Sequence, residues 1–120
     1  MSKILFAEDS NTDYAYLEDI LKSAGHQFVG VRSGEDAEQQ ARREKFDVFI
    51  LDVIMPGKNG FQVCRSLKRD PQTAATPIIL TTSKDADSDK FWGEKQGADV
   101  YVTKPFTAAQ LQQAIDKVLK

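Results

Sequence analysis

Four apolar runs in this chain each end in a side chain that could do chemistry. Lys3-Ile4-Leu5-Phe6-Ala7 ends in Glu8-Asp9, and Val48-Phe49-Ile50-Leu51 ends in Asp52. Pro77-Ile78-Ile79-Leu80 ends in Thr81-Thr82, and Val100-Tyr101-Val102-Thr103 ends in Lys104. Each has an ordinary explanation taken alone, because Asp favours turns and caps and Thr is common in strands. Taken together they have a shared chemistry. Glu8, Asp9 and Asp52 against Lys104 sum to −2, which like-charge repulsion disfavours in one cleft until a cation enters. One Mg2+ would neutralise that sum, and carboxylate oxygens, a backbone carbonyl and waters are the ligands it takes. Lys104 and a threonine hydroxyl add donors that suit a visiting phosphoryl group. The implied reaction is phosphoryl transfer to a carboxylate, with Asp52 the nucleophile and with Mg2+ and Lys104 neutralising charge.

That chemistry requires the four ends to meet, which depends on the elements that carry them. Continuous Val/Phe/Ile/Leu runs fit strands buried on both faces of a parallel sheet. Met55-Pro56-Gly57 cannot continue a central strand, so Asp52 stands where sheet becomes loop. Tyr14, Leu17, Leu21 and Ala24 mark one face of a helix capped by Ser10 or Asn11 and stopped by Gly25. Phe28-Val29-Gly30-Val31 is a short strand, and Ser33 caps a polar helix over 35–45 with Ala37 and Ala41 inward. Phe61, Val63, Cys64 and Leu67 follow as a helix face, ended by Asp70-Pro71. A further helix is expected over 86–96, weakened by Phe91-Trp92-Gly93, since Gly costs about 1 kcal/mol against Ala in a helix. Leu111, Ala114, Ile115 and Val118 mark the last helix. Five strands alternating with five helices call for parallel crossover units, an α/β fold with helices on both faces of one sheet. All carboxyl ends then share one edge, where ligands bind. Alternation puts Thr81 and Thr82 on opposite faces, so one of them serves the site.

Length and composition set bounds. A chain of 120 residues, 41% hydrophobic and 28% charged, suits one globular domain over 1–120. With a net charge of −2 and no basic stripe, direct nucleic-acid binding is not expected. The single Cys64 fits a core position and a reducing cytoplasm. No apolar run reaches the roughly 18 residues of a membrane span, and no signal peptide precedes the first strand. His26 reads as a solvated residue, and Arg42-Arg43-Glu44-Lys45 as a solvated helix face.

The acidic pair Glu8-Asp9, Asp52-x-x-Met55-Pro56 with Gly60, Thr82, Tyr101 and Lys104-Pro105-Phe106 resemble, in this order and spacing, the bacterial response-regulator receiver domain of the chemotaxis CheY type. The resemblance covers essentially the whole chain. The segment Trp92-Gly93-x-x-Gln96-Gly97-Ala98 is more similar to the single-domain receivers of twitching-motility, PilH/PilG-like systems. The resemblance implies a flavodoxin-like, doubly wound five-stranded sheet in the order 2-1-3-4-5. It implies Asp52 as acceptor of a phosphoryl group from a sensor histidine kinase or histidine phosphotransfer domain. Asp9, Asp52 and the Ile54 carbonyl would hold Mg2+, with Glu8 acting through water. Glu8 departs from the commoner Asp-Asp pair and leaves the reading intact. Lys104 would bind the phosphoryl, Thr82 would swing toward it, and Tyr101 would turn inward as the switch; the 22-residue separation of Thr82 from Lys104 matches the family. The Lys104-Pro105 bond would be cis. Such a domain is a signalling module rather than a metabolic enzyme, expected to be a cytoplasmic monomer whose output is contact with a downstream target protein.

Three rival readings fit these residues less well. An aspartate-nucleophile phosphatase of the haloacid dehalogenase class would place an acid two residues after the nucleophile, where Ile54 stands. A flavodoxin-like FMN module would need a Ser/Thr/Gly-rich phosphate loop after the first strand, where Glu8 and Asp9 would repel phosphate. A pseudo-receiver acting only as a scaffold is opposed by the intact chemistry at all five positions.

Overall fold

The apolar runs pair side by side as parallel strands in a computed structural model that describes residues 2–83 and 97–120. These are β1 (Lys3–Ala7), β2 (Gln27–Val31), β3 (Val48–Asp52), β4 (Ile78–Thr82) and β5 (Val100–Thr103). They form one sheet in the order β2-β1-β3-β4-β5 with every pair parallel, as expected. The helices among the described residues are α1 (Asn11–Ser23), α2 (Gly34–Arg43), α3 (Gly60–Arg69) and α4 (Ala108–Val118). The helix expected over 86–96 lies outside the described residues.

The sheet sorts its side chains by alternation. Leu5, Ala7, Phe49, Leu51, Ile78 and Leu80 pack with Ala37 and Ala41 of α2 and with Val63, Cys64 and Leu67 of α3. Ile4, Phe6, Val48, Ile50 and Ile79 pack on the other side with Leu17, Ile20 and Leu21 of α1 and with Leu111, Ala114 and Ile115 of α4. Central β1, β3 and β4 are therefore buried on both faces, which is why their sequences run apolar without a break. The edge strands β2 and β5 are only half-buried.

Local chemistry fixes the helix starts. Ser10 caps α1, its Oγ accepting from the Asp13 N–H at 3.4 Å. Asn59 with Gln62, and Thr107 with Gln110, form reciprocal capping boxes at α3 and α4. One reading needs correction. His26 is not merely solvated: its Nδ1 accepts from the Ser2 N–H at 3.3 Å and its Nε2 meets Gln112 Oε1 at 3.0 Å, joining the amino terminus to α4. Arg42 lies on a solvated face as expected, exposed and paired there with Asp70 Oδ2 at 2.9 Å and Glu38 Oε1 at 3.6 Å. Cys64 is a core residue as expected, and burial pushes its thiol up to about 12.

Candidate functional site

The carboxyl ends of β1, β3 and β5 bring the reactive groups together at one edge of the sheet. Glu8 is wholly buried, Asp52 nearly so, and Asp9 is exposed. One oxygen from each of these acids lies within 4.8 Å of the others. Asp52 is held by the turn that follows it. The Val53 N–H donates to the Thr81 carbonyl at 2.8 Å, and the Gly60 N–H returns to the Val53 carbonyl at 2.9 Å. A Cβ at Gly60 would collide with the Asp52 carbonyl, so only glycine lets α3 begin this close to β3. The Ile54 N–H donates to the Asp52 carboxylate, while its side chain faces solvent. Lys58 reaches both oxygens of buried Glu38 at 3.0 Å, tying this loop to α2.

Lys104 enters from the far side. Its N–H donates to the Thr82 carbonyl at 2.6 Å, and the Lys104-Pro105 bond is cis. Its Nζ contacts Glu8 Oε2 at 2.8 Å, Asp13 Oδ2 at 2.8 Å and Asp52 Oδ1 at 3.4 Å. Asp13 joins the site without a signal in the sequence. In the sequence it reads as an acid in the first turn of a helix, where the helix dipole alone would account for it. With it, the site holds four acids and one ammonium, and the local sum is −3 rather than −2. Tyr16 Oη donates to the Phe106 carbonyl at 2.7 Å, fastening the segment after Pro105 to α1. A cleft of about 400 Å3 opens between these elements, lined in part by Glu8, Asp13, Tyr16, Lys104 and Phe106.

The electrostatics follow from burial and crowding. Burial raises Glu8 to about 7, with Asp52 adding repulsion and Lys104 opposing both. Asp52 is also raised by burial, against Lys104, Glu8 and the Ile54 amide. Burial works against the Lys104 charge, yet its bonds to Asp13 and Glu8 and the field of Asp52 raise it overall. Two buried acids and the exposed Asp9, short of neutralisation and offering hard oxygen donors within reach of one another, fit a magnesium ion.

A pH dependence follows. A carboxyl whose folded value lies above its unfolded value stabilises below the unfolded value and loses that stability as pH rises through the folded one. For Glu8 the window runs from 4.5 to about 7. Mg2+ should therefore stabilise this protein more at pH 8 than at pH 5, by about 2–3 kcal/mol at a hundredfold excess over Kd at the higher pH. Thermal melts with and without the ion at both values test this; an equal shift at both would sink it.

The two threonines divide as alternation requires. Thr81 pairs across with Asp52 and continues the row of Ile79, on the α1/α4 side. Thr82 continues the row of Ile78 and Leu80, the side on which half-buried Tyr101 packs. Both threonines are wholly buried. The family resemblance points to Thr82, while the register sets Thr81 beside the acid, a neighbour that only the strand alignment reveals.

Comparison with known proteins finds relatives over nearly the whole chain. The model of the response regulator receiver domain family matches residues 4–116. Protein PilH of Pseudomonas aeruginosa is 44% identical over 119 residues, covering 99% of this chain and 98% of that protein. The chemotaxis protein CheY4 of Vibrio cholerae superposes with a TM-score of 0.94 at 30% identity, over 99% of each chain. The receiver domain of the sensor histidine kinase PA1611 from Pseudomonas aeruginosa superposes with a TM-score of 0.92 at 26% identity, over 98% of this chain and 97% of that one. That structure has a magnesium ion coordinated in its active-site cleft.

Proposed function

The chain belongs to the response-regulator receiver family of two-component systems, and from that premise we propose that it accepts a phosphoryl group on Asp52 from a phosphohistidine of a sensor kinase or histidine phosphotransfer domain. The observation that carries this is the convergence of Glu8, Asp9 and Asp52 within 4.8 Å, with the Lys104 ammonium 3.4 Å from Asp52. An Asp52 carboxylate oxygen attacks phosphorus, the P–N bond breaks, and the imidazole leaves with its electron pair and takes up a proton. Bound Mg2+ supplies charge neutralisation on the phosphoryl oxygens. Asp9, Asp52 and the Ile54 carbonyl are the residues that would hold it, with Glu8 behind a water. Lys104 leaves its free-state partners to bind a phosphoryl oxygen, and Thr82 donates to another. Thr82 and Tyr101 lie on the same side of the sheet, which supports a switch running from the first to the second. Output is contact with a target protein in the cytoplasm, and the likeness to PilH favours motility control.

Incubation with phosphoramidate and Mg2+, followed by intact-mass measurement, tests the reading. The expected result is one added phosphoryl group that maps to Asp52 and is labile to hydroxylamine. A chain left unmodified under conditions that load another receiver would support the scaffold reading instead.

A further inference from the structure

The Thr81 hydroxyl has no assigned work. It is wholly buried, and its Oγ1 finds no hydrogen-bond partner among the described residues. A buried hydroxyl without a partner is costly, and valine would fill the same space in the middle of a sheet at no such cost. The position is not a neutral part of the core. Thr81 is the cross-strand neighbour of Asp52, and it lies on the α1/α4 side that Glu8 and Asp52 also face.

The path of Lys104 gives the hydroxyl a purpose. Lys104 follows β5, whereas Glu8 follows β1, and in the sheet β4 and β3 lie between them. Neighbouring strands are about 4.8 Å apart. Lys104 continues the β5 row of Val100 and Val102 on the α1/α4 side, so a stem that carries Nζ to Glu8 and Asp13 at 2.8 Å crosses the end of β4 on the face that Thr81 shares. The ammonium has three protons to donate, and in the free protein Glu8, Asp13 and Asp52 face it. A phosphoryl group on Asp52 draws the ammonium away from Glu8 and Asp13. It then stands over β3, beside the end of β4, with a proton to spare once it binds a phosphoryl oxygen.

We propose that Thr81 is a positioning residue: its Oγ1 accepts a hydrogen bond from Lys104 Nζ when the lysine engages a phosphoryl group on Asp52. The partnerless hydroxyl of the free state is thus held for the loaded state. This rests on the reading of Asp52 as phosphoryl acceptor and deepens it.

The test uses beryllofluoride with Mg2+ as the phosphoryl mimic, titrated calorimetrically into wild type, Thr81→Val and Thr81→Ser, with melts of the metal-free proteins. Thr81→Val should melt higher than wild type because the stranded hydroxyl is gone. It should bind the mimic about tenfold more weakly, the weight of one hydrogen bond to a charged group. Thr81→Ser, which restores the hydroxyl, should bind like wild type. A purely structural threonine would not move stability and affinity in opposite directions. Unchanged affinity in Thr81→Val, or weakened affinity in both variants, would overturn the inference while leaving Asp52 as acceptor. Should valine disturb packing, Thr81→Ala removes the hydroxyl with a smaller side chain and must show the same loss of affinity. A wild-type chain that binds no mimic would overturn both the acceptor reading and the inference.

Discussion

Asp52→Asn will take up no phosphoryl group and, free of metal, will melt at a higher temperature than wild type. The first half follows from chemistry, because an amide oxygen is a far weaker nucleophile than a carboxylate. The second follows from the burial of Asp52 among Glu8, Asp9 and Asp13 with one ammonium to share. Burial raises the Asp52 carboxyl above its usual value, so at neutral pH its ionised form weakens the fold. Asparagine keeps an oxygen for the Ile54 N–H and Lys104 and loses the charge. Each ~1 kcal/mol relieved would lift the melting temperature of a domain this size by roughly 3–6 °C. The gain should be present at pH 8 and vanish near pH 3, where the native aspartate is itself protonated. Intact mass and thermal melts at both values decide the matter. A variant that still gains phosphate would show that another residue is the acceptor, and a lower melting temperature at pH 8 would show that the carboxylate is stabilising.

The part of this site legible in the sequence was what strand topology dictates. Uninterrupted apolar runs separated by helix-length segments force parallel pairing, and parallel pairing puts Glu8, Asp52 and Lys104 on one edge whatever the details. What the sequence concealed was pairing across elements. Asp13 belongs to the site because α1 lies over the end of β1, and a capping acid in any other helix would look the same. Glu38 is a polar residue on a polar helix until Lys58 arrives from the loop after Asp52. The neighbour of Asp52 on β4 is set by a register that shifts both threonines if it slips by one residue. His26 looked solvated because its partners, Ser2 and Gln112, are 24 and 86 residues away. Alternation was readable, but which alternate faced which helix layer was not.

Lys104→Met will be the most destabilising single change at the site, and its cost will depend on pH. Methionine keeps much of the stem that crosses β4 and removes the ammonium. Glu8, buried to the last atom, then loses its ion pair, and Asp13 and Asp52 lose the cation they share. Removing one partner of a buried pair costs about 3–5 kcal/mol when the other charge stays ionised. Glu8 does not have to stay ionised. It already rises to about 7 with Lys104 present, and the lysine is what opposes the rise. Without it the carboxyl rises further, so proton uptake caps the penalty at low pH and fails to cap it at high pH. Wild type and variant should therefore differ little near pH 4 and increasingly from pH 5 to pH 8. Adding Glu8→Gln to Lys104→Met should recover much of the stability lost at pH 8, because the stranded charge is gone. Phosphoryl binding would not recover: losing a charged hydrogen bond worth ~1.5–3 kcal/mol should weaken beryllofluoride affinity about tenfold to a hundredfold in both. Denaturant melts across this pH range, paired with mimic titrations, separate the two roles of the lysine. A stability loss independent of pH would mean that the stem, and not the charge, holds the site together.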